Sequence, residues 1–195
     1  LSLDHSKSVG GLIPVKLLKL GVERCSPILA TLFNSAINTG VFPHDLKLAD
    51  IIPCHKKDSA LEKSNYRPIS LLPTISKVFE RLMVNQMLPF LYTFLSKFLC
   101  GFRKGHSTQH ALINLLERWQ NHLSSGDKVG ALLMDLSKAF DVLPHNLLLA
   151  KLQAYGFESP SLNLIQSYLF NRNHRVRISS IFSEWLNLGF LKAQY

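Results

Sequence analysis

Val129-Gly-Ala-Leu-Leu-Met-Asp-Leu-Ser-Lys-Ala-Phe-Asp141 joins an apolar run to one carboxylate and then to a polar turn. Gly130 to Met134 does not alternate, so it is predicted to be a strand buried on both faces. Such a strand would hold Asp135 rigidly at its end, with the carboxylate facing a cleft. Magnesium-dependent phosphoryl-transfer sites are commonly built this way. One aspartate is not a site, and a lone Asp after a strand is more often a turn or helix cap. Spacing alone leaves both readings of Asp135 open.

The 195 residues are 47% hydrophobic with a moderate share of charge, enough for a real core and against global disorder. The greasiest stretch, Leu88 to Leu99, is broken by Thr93, Ser96 and Lys97, so no membrane span is expected. Asp4 and His5 argue against a signal peptide. Cys25, Cys54 and Cys100 are odd in number and far apart, which fits buried or reduced intracellular thiols better than disulfides or a zinc cluster. The expected compartment is intracellular, nucleus or cytoplasm.

The net charge of +9 is unevenly spread. Ile51 to Gln109 holds nine Lys/Arg against three acids, or +6 in that segment. Concentrated positive charge points to a polyanionic partner, nucleic acid before membrane, although a solvated basic face explains it as well.

Punctuation divides the chain. A short helix is predicted from Ile13 to Gly21, and a firmer one capped by Ser26, with Pro27 at its first position and Gly40 as its stop. Lys47 to Pro53 reads as a strand, and Asn65 to Pro73 as an extended segment, because Pro68 keeps Arg67 out of the helical region. Thr74 to about Leu88 is a helix that Pro89 ends or kinks. Ser107 caps another, striped by Ala111, Leu112, Leu115, Leu116, Trp119 and Leu123. Helices from Pro144 and from Ser159 follow, then a hairpin pairing Arg175–Ile178 with Trp185–Leu188. The fold class is α+β.

Arg67 with Lys56 or Lys57 suits a triphosphate, the guanidinium as a fork and the ammonium as a point charge. The turn Gly101-Phe-Arg-Lys-Gly-His106 suits a phosphate backbone. Solvated cations or simple ion pairs account for the same residues.

Resemblance adds what spacing does not. Lys47–Lys57, Asn65–Pro73, Ile75–Arg81, Gly101–Thr108, Met134–Asp141 and Leu148–Leu152, in that order, resemble the reverse transcriptase of non-LTR (LINE-type) retrotransposons. The resemblance runs from about Ile13 to about Gly189. It implies the fingers and a partial palm of a right-hand polymerase that copies RNA into DNA. It divides the chain into a helical lead-in (1–46), a fingers-like region (47–128) and a partial palm (129–195). Asp135 matches the first catalytic, metal-binding carboxylate, implying Mg²⁺, and Phe140 matches the aromatic that excludes a ribose 2′-hydroxyl. Arg67 matches the arginine that contacts the incoming deoxynucleoside triphosphate, with Lys56 or Lys57 assisting. Arg103, Lys104 and His106 are candidates for holding the RNA template and DNA primer. Asp141 matches the pattern too but reads as a helix cap.

After Gly189 the sequence departs from the family pattern, and the 195 residues contain no aromatic-Ala-Asp-Asp turn, the source of the family's other catalytic carboxylates. The expectation is therefore a polymerase segment inactive on its own. The alternatives are a non-enzymatic RNA- or DNA-binding remnant, or a decayed element copy without function.

Overall fold

The computed structural model describes residues 13–136 and 142–188. It is a mixture of helix and sheet, α+β, whose sheet and buried core lie in one of two compact units. The first unit comprises Leu1–Asn85 with Lys138–Tyr195, and the second comprises Gln86–Ser137.

In the first unit, α1 (Val15–Leu20) and α2 (Val22–Thr39) are separated only by Gly21. The Gly21 carbonyl already accepts from Arg24 and Cys25, so α2 is under way before Ser26. Ser26 is thus not the cap that the sequence suggested. Its hydroxyl donates back to the Val22 carbonyl at 2.6 Å, and Pro27 sits inside the helix, lacking the N–H that would reach Glu23. Gly40 ends α2 at φ 67, a left-handed cap. A Cβ there would also stand 2.9 Å from the Asn163 Cβ.

A single 3₁₀ turn (His44–Lys47) leads into β1 (Ala49–His55), which forms an antiparallel hairpin with β2 (Tyr66–Leu71). The register sets Pro53 opposite Pro68. The Lys56 N–H donates to the Asn65 carbonyl at 2.8 Å, so alternation makes 54/67, 52/69 and 50/71 the hydrogen-bonded pairs. The two prolines therefore share a pair that needs no N–H from either, and the ladder loses nothing. Pro53 directs its backbone toward β3 (Arg172–Ile178), just past Ile51, where the parallel pairing of β1 with β3 stops.

Helix α3 runs Thr74–Leu91, past Pro89, which removes one bond near its end. Helices α5 (His145–Ala154) and α6 (Ser159–Leu169) precede β3, which pairs antiparallel with β4 (Ile181–Phe182) and β5 (Leu186–Leu188). The expected pairing is shifted: Leu186–Leu188 lies against Arg172–His174, ahead of the alternating residues, while Arg177 and Ile178 pair with Phe182 and Ile181 of β4.

The core gathers where α2, α3 and α6 meet. Phe79 is stacked between Phe33 (centroids 4.4 Å) and Phe42 (5.1 Å), and Tyr168 meets Phe42 edge-on at 5.0 Å. Leu18, Ala36, Leu46, Val78 and Leu164 close around them.

In the second unit, α4 (Thr108–Ser124) follows Ser107, as expected, although the Ser107 hydroxyl pairs with His110 Nδ1 at 2.9 Å rather than with a backbone N–H. None of its described residues is buried, and the Leu112, Leu115, Leu116 and Leu123 stripe is exposed. Ring contacts supply the local order. Phe90 and Phe94 meet edge-on at 5.2 Å, and the Arg118 guanidinium lies 4.6 Å from the Phe98 ring.

The largest departure from expectation is the stretch whose apolar run predicts a buried strand. Residues 127–136 are irregular, and Leu132, Leu133, Met134 and Leu136 are all exposed. A strand exists through its ladder, and none of β1 to β5 pairs with this run. Phe140, Asp141 and the first twelve residues of the lead-in lie outside the described residues.

Candidate functional site

The β1–β2 hairpin gathers the candidate triphosphate residues. Arg67 is exposed and opposes Cys54 directly. Paired residues share a sheet face, so Arg67, Cys54, Ile52, Ile69, Asp50 and Leu71 lie on one side of the hairpin. His55 and Tyr66 lie on the other, where their rings approach to 5.3 Å. Period-two alternation carried one residue past β1 puts Lys56 on the Arg67 side. Lys57 is held instead in an exposed ion pair with Asp58 at 3.9 Å, which contributes little.

Further along the Arg67 side the sheet carries a buried ion pair that the sequence did not announce. Arg175 on β3 donates its Nε–H to Asp50 Oδ1 at 2.7 Å. Its guanidinium is sandwiched by Phe182 (4.0 Å) and Trp185 (4.6 Å). The pair forms part of the wall of an apolar cavity of about 360 Å³ with Leu46, Leu48, Leu71 and Ile75. Alternation at 175–178 gave the strand, but nothing local in sequence links Arg175 to Asp50.

A second polar cluster joins α3, α6 and the start of β3. Glu80 Oε1 accepts from the Tyr168 hydroxyl at 3.1 Å and the Ser76 hydroxyl at 3.4 Å. The Arg172 Nη1–H donates to the Tyr168 carbonyl at 3.0 Å, and its guanidinium lies 4.8 Å from the Tyr168 ring. Lys47 donates to Ser167 Oγ and the Phe170 carbonyl, both at 3.4 Å. Burial raises the Glu80 carboxyl above its ordinary range, against the opposing hydrogen bonds. Burial, then the Arg172 charge, lowers the Lys47 ammonium. Burial pushes the Tyr168 hydroxyl up to about 12. These groups lock α3, α6 and β3 together rather than face a ligand.

In the second unit, Arg103, Lys104 and His106 share one turn. Arg103 stacks on Tyr92 at 5.2 Å, Lys104 is exposed, and the His106 ring pairs with the Lys104 carbonyl at 3.2 Å through Nδ1. Asp135 belongs to this same unit and is exposed within the irregular run. The hairpin thus unites Arg67 with Lys56, and the turn unites Arg103, Lys104 and His106.

Magnesium asks for near-octahedral oxygen ligands. Among the described residues no three His, Cys, Asp or Glu side chains gather to hold a metal ion. Asp135 alone, on an irregular backbone, does not constitute that centre. Nor is any helix among the described residues long and apolar enough to cross a membrane.

Known proteins give this geometry a context. The family described as Reverse transcriptase (RNA-dependent DNA polymerase) matches residues 54–190, from the hairpin to just past β5. The probable RNA-directed DNA polymerase from transposon BS of Drosophila melanogaster is 31% identical over 94% of this chain and 20% of its own length. That from transposon X-element of the same species is 34% identical over 83% of the chain and 18% of its own length. The RNA-directed DNA polymerase from mobile element jockey, also of Drosophila melanogaster, is 35% identical over 86% and 18%. The chain spans about a fifth of the length of these relatives. The family match alone takes in well over half of the chain, and this chain belongs to the reverse transcriptases of non-LTR retrotransposons.

Proposed function

We propose that these residues form the fingers and the first part of the palm of an RNA-directed DNA polymerase. Its substrates are a primed RNA template and deoxynucleoside triphosphates. The observation that carries this reading is the hairpin register, which supports Arg67 and Lys56 as a pair of cations on one exposed face. A fork and a point charge presented together suit the adjacent phosphates of a triphosphate. Alternation favours Lys56 over Lys57. Arg103, Lys104 and His106 contribute backbone-type phosphate contacts, which position a strand without reading its sequence.

Asp135 supplies one carboxylate toward the Mg²⁺ of the complete polymerase, and Phe140 supplies the ring against the sugar. A phosphoryl-transfer centre of two metals needs further carboxylates, and among the described residues none gather with Asp135. The chain by itself should therefore bind its substrates without joining them. Primer extension on a primed RNA template with Mg²⁺ and all four triphosphates should give no product. Robust extension would overturn that claim. Failure to bind labelled primed template at low salt would overturn the assignment of the cations.

Binding without chemistry is the second reading, and the exposed, irregular setting of Asp135 favours it for the chain in isolation. Both readings require binding without extension by the isolated chain, so failure to bind at low salt overturns both, and extension overturns the inactivity they share.

A further inference from the structure

The loop joining β1 to β2 is not held by burial, since its one large apolar side chain, Leu61, is 93% exposed. Three side chains at its two roots shape it instead. His55 Nε2 meets the Asp58 carbonyl at 3.1 Å, Asn65 Nδ2 donates to the Ser59 carbonyl at 2.9 Å, and the Tyr66 hydroxyl donates to the Ala60 carbonyl at 2.8 Å. Three consecutive carbonyl oxygens, 58 to 60, are each captured by a different side chain. Asp58 meanwhile adopts φ 64, a left-handed conformation that Asp tolerates better than most residues.

We infer that Asn65, Tyr66 and His55 are positioning residues for anion recognition by this hairpin. By tying the carbonyls of 58–60 to the roots, they keep partial negative charge away from an incoming phosphate. They also fix the loop so that Lys56 stays on the Arg67 side. None of the three touches the phosphate in this role. The inference rests on the reading of the hairpin as a triphosphate site, and its test separates the two.

The test uses the whole 195-residue chain and deoxythymidine triphosphate with Mg²⁺ as the probe, followed by titration calorimetry. Tyr66→Phe removes one hydroxyl and keeps the ring against His55. It should weaken binding about three- to tenfold, the usual worth of one hydrogen bond, with the melting temperature nearly unchanged. Asn65→Ser, which cannot reach the Ser59 carbonyl in the same way, should do likewise. In a Lys56→Ala background the Tyr66→Phe effect should largely vanish, because Tyr66 acts through Lys56. A purely structural tyrosine would give additive losses instead.

Full binding by Tyr66→Phe and Asn65→Ser, or additivity with Lys56→Ala, overturns the positioning role alone. Indifference of binding to both Lys56→Ala and Arg67→Ala, or no binding by the unmodified chain, overturns the triphosphate reading and this inference with it.

Discussion

Arg175 donates to Asp50 across the parallel β1–β3 pair at 2.7 Å, and the two ends of that bond are unequally buried. The Asp50 side chain is 6% exposed, whereas that of Arg175 is 29% exposed and rests between two rings.

The inequality predicts which partner is costlier to lose. Arg175→Met strands a carboxylate in the sheet and should destabilise by about 3 kcal/mol. Asp50→Leu leaves a guanidinium that can turn to water and should cost only about 1 kcal/mol. Urea unfolding of the two variants checks the order, and equal losses would refute it.

Gly40 should resist substitution for two separable reasons. Its φ of 67 penalises any Cβ, and that Cβ would meet Asn163 at 2.9 Å. Gly126 shares the first penalty, at φ 82, with nothing within 4 Å. Gly40→Ala should therefore cost about 2 kcal/mol or more, and Gly126→Ala about 1. The difference, read by chemical denaturation, isolates the clash.

Stability should respond to pH through the cluster at Glu80 and Lys47. The folded state raises the Glu80 pKa above its ordinary 4.5, so it binds the proton more tightly than the unfolded chain. Its contribution is full below about pH 4.5 and is lost as pH rises through the folded value. Lys47 is lowered from 10.5, so its contribution is full above that value and is lost as pH falls through the folded value. Glu80→Gln should flatten the first slope and Lys47→Met the second. Melting temperatures across pH check both, and unchanged slopes would reject the assignment.

Binding of single-stranded RNA should weaken steeply with salt. Each phosphate contact contributes about −0.7 to the slope of log affinity against log salt. Arg103→Ala with Lys104→Ala should flatten that slope by about 1.4 if both contact phosphate. Fluorescence anisotropy over a salt series measures it, and an unchanged slope would remove the 101–106 turn from the interface.

What was legible in the sequence follows from where the determining forces are local. Pro68 keeps Arg67 extended, Gly40 ends a helix and Pro144 starts one, because each acts within a turn of itself; Ser107 marks the start of α4 without a side-chain cap bond to the backbone. Ser26 does not mark the α2 start, because Gly21 lets α1 pass almost directly into a second helix and Pro27 is tolerated inside it. Gly130–Met134 fails to form the expected buried strand for a different reason. Apolar composition states what a strand would bury, but its ladder partners must come from elsewhere in the chain. The Asp50–Arg175 bond was invisible because 125 residues separate its ends.

Pro68 has one further effect, on the outer side of β2, which is the edge of the sheet. The backbone groups that face outward belong to Tyr66, Pro68 and Ser70, and the middle one has no hydrogen to offer. A strand approaching from outside would meet a break in the donor row, so the sheet is blunted against growth by self-association. Strand addition at this rim is disfavoured, which leaves the side chains on the hairpin's faces as its surface for recognition.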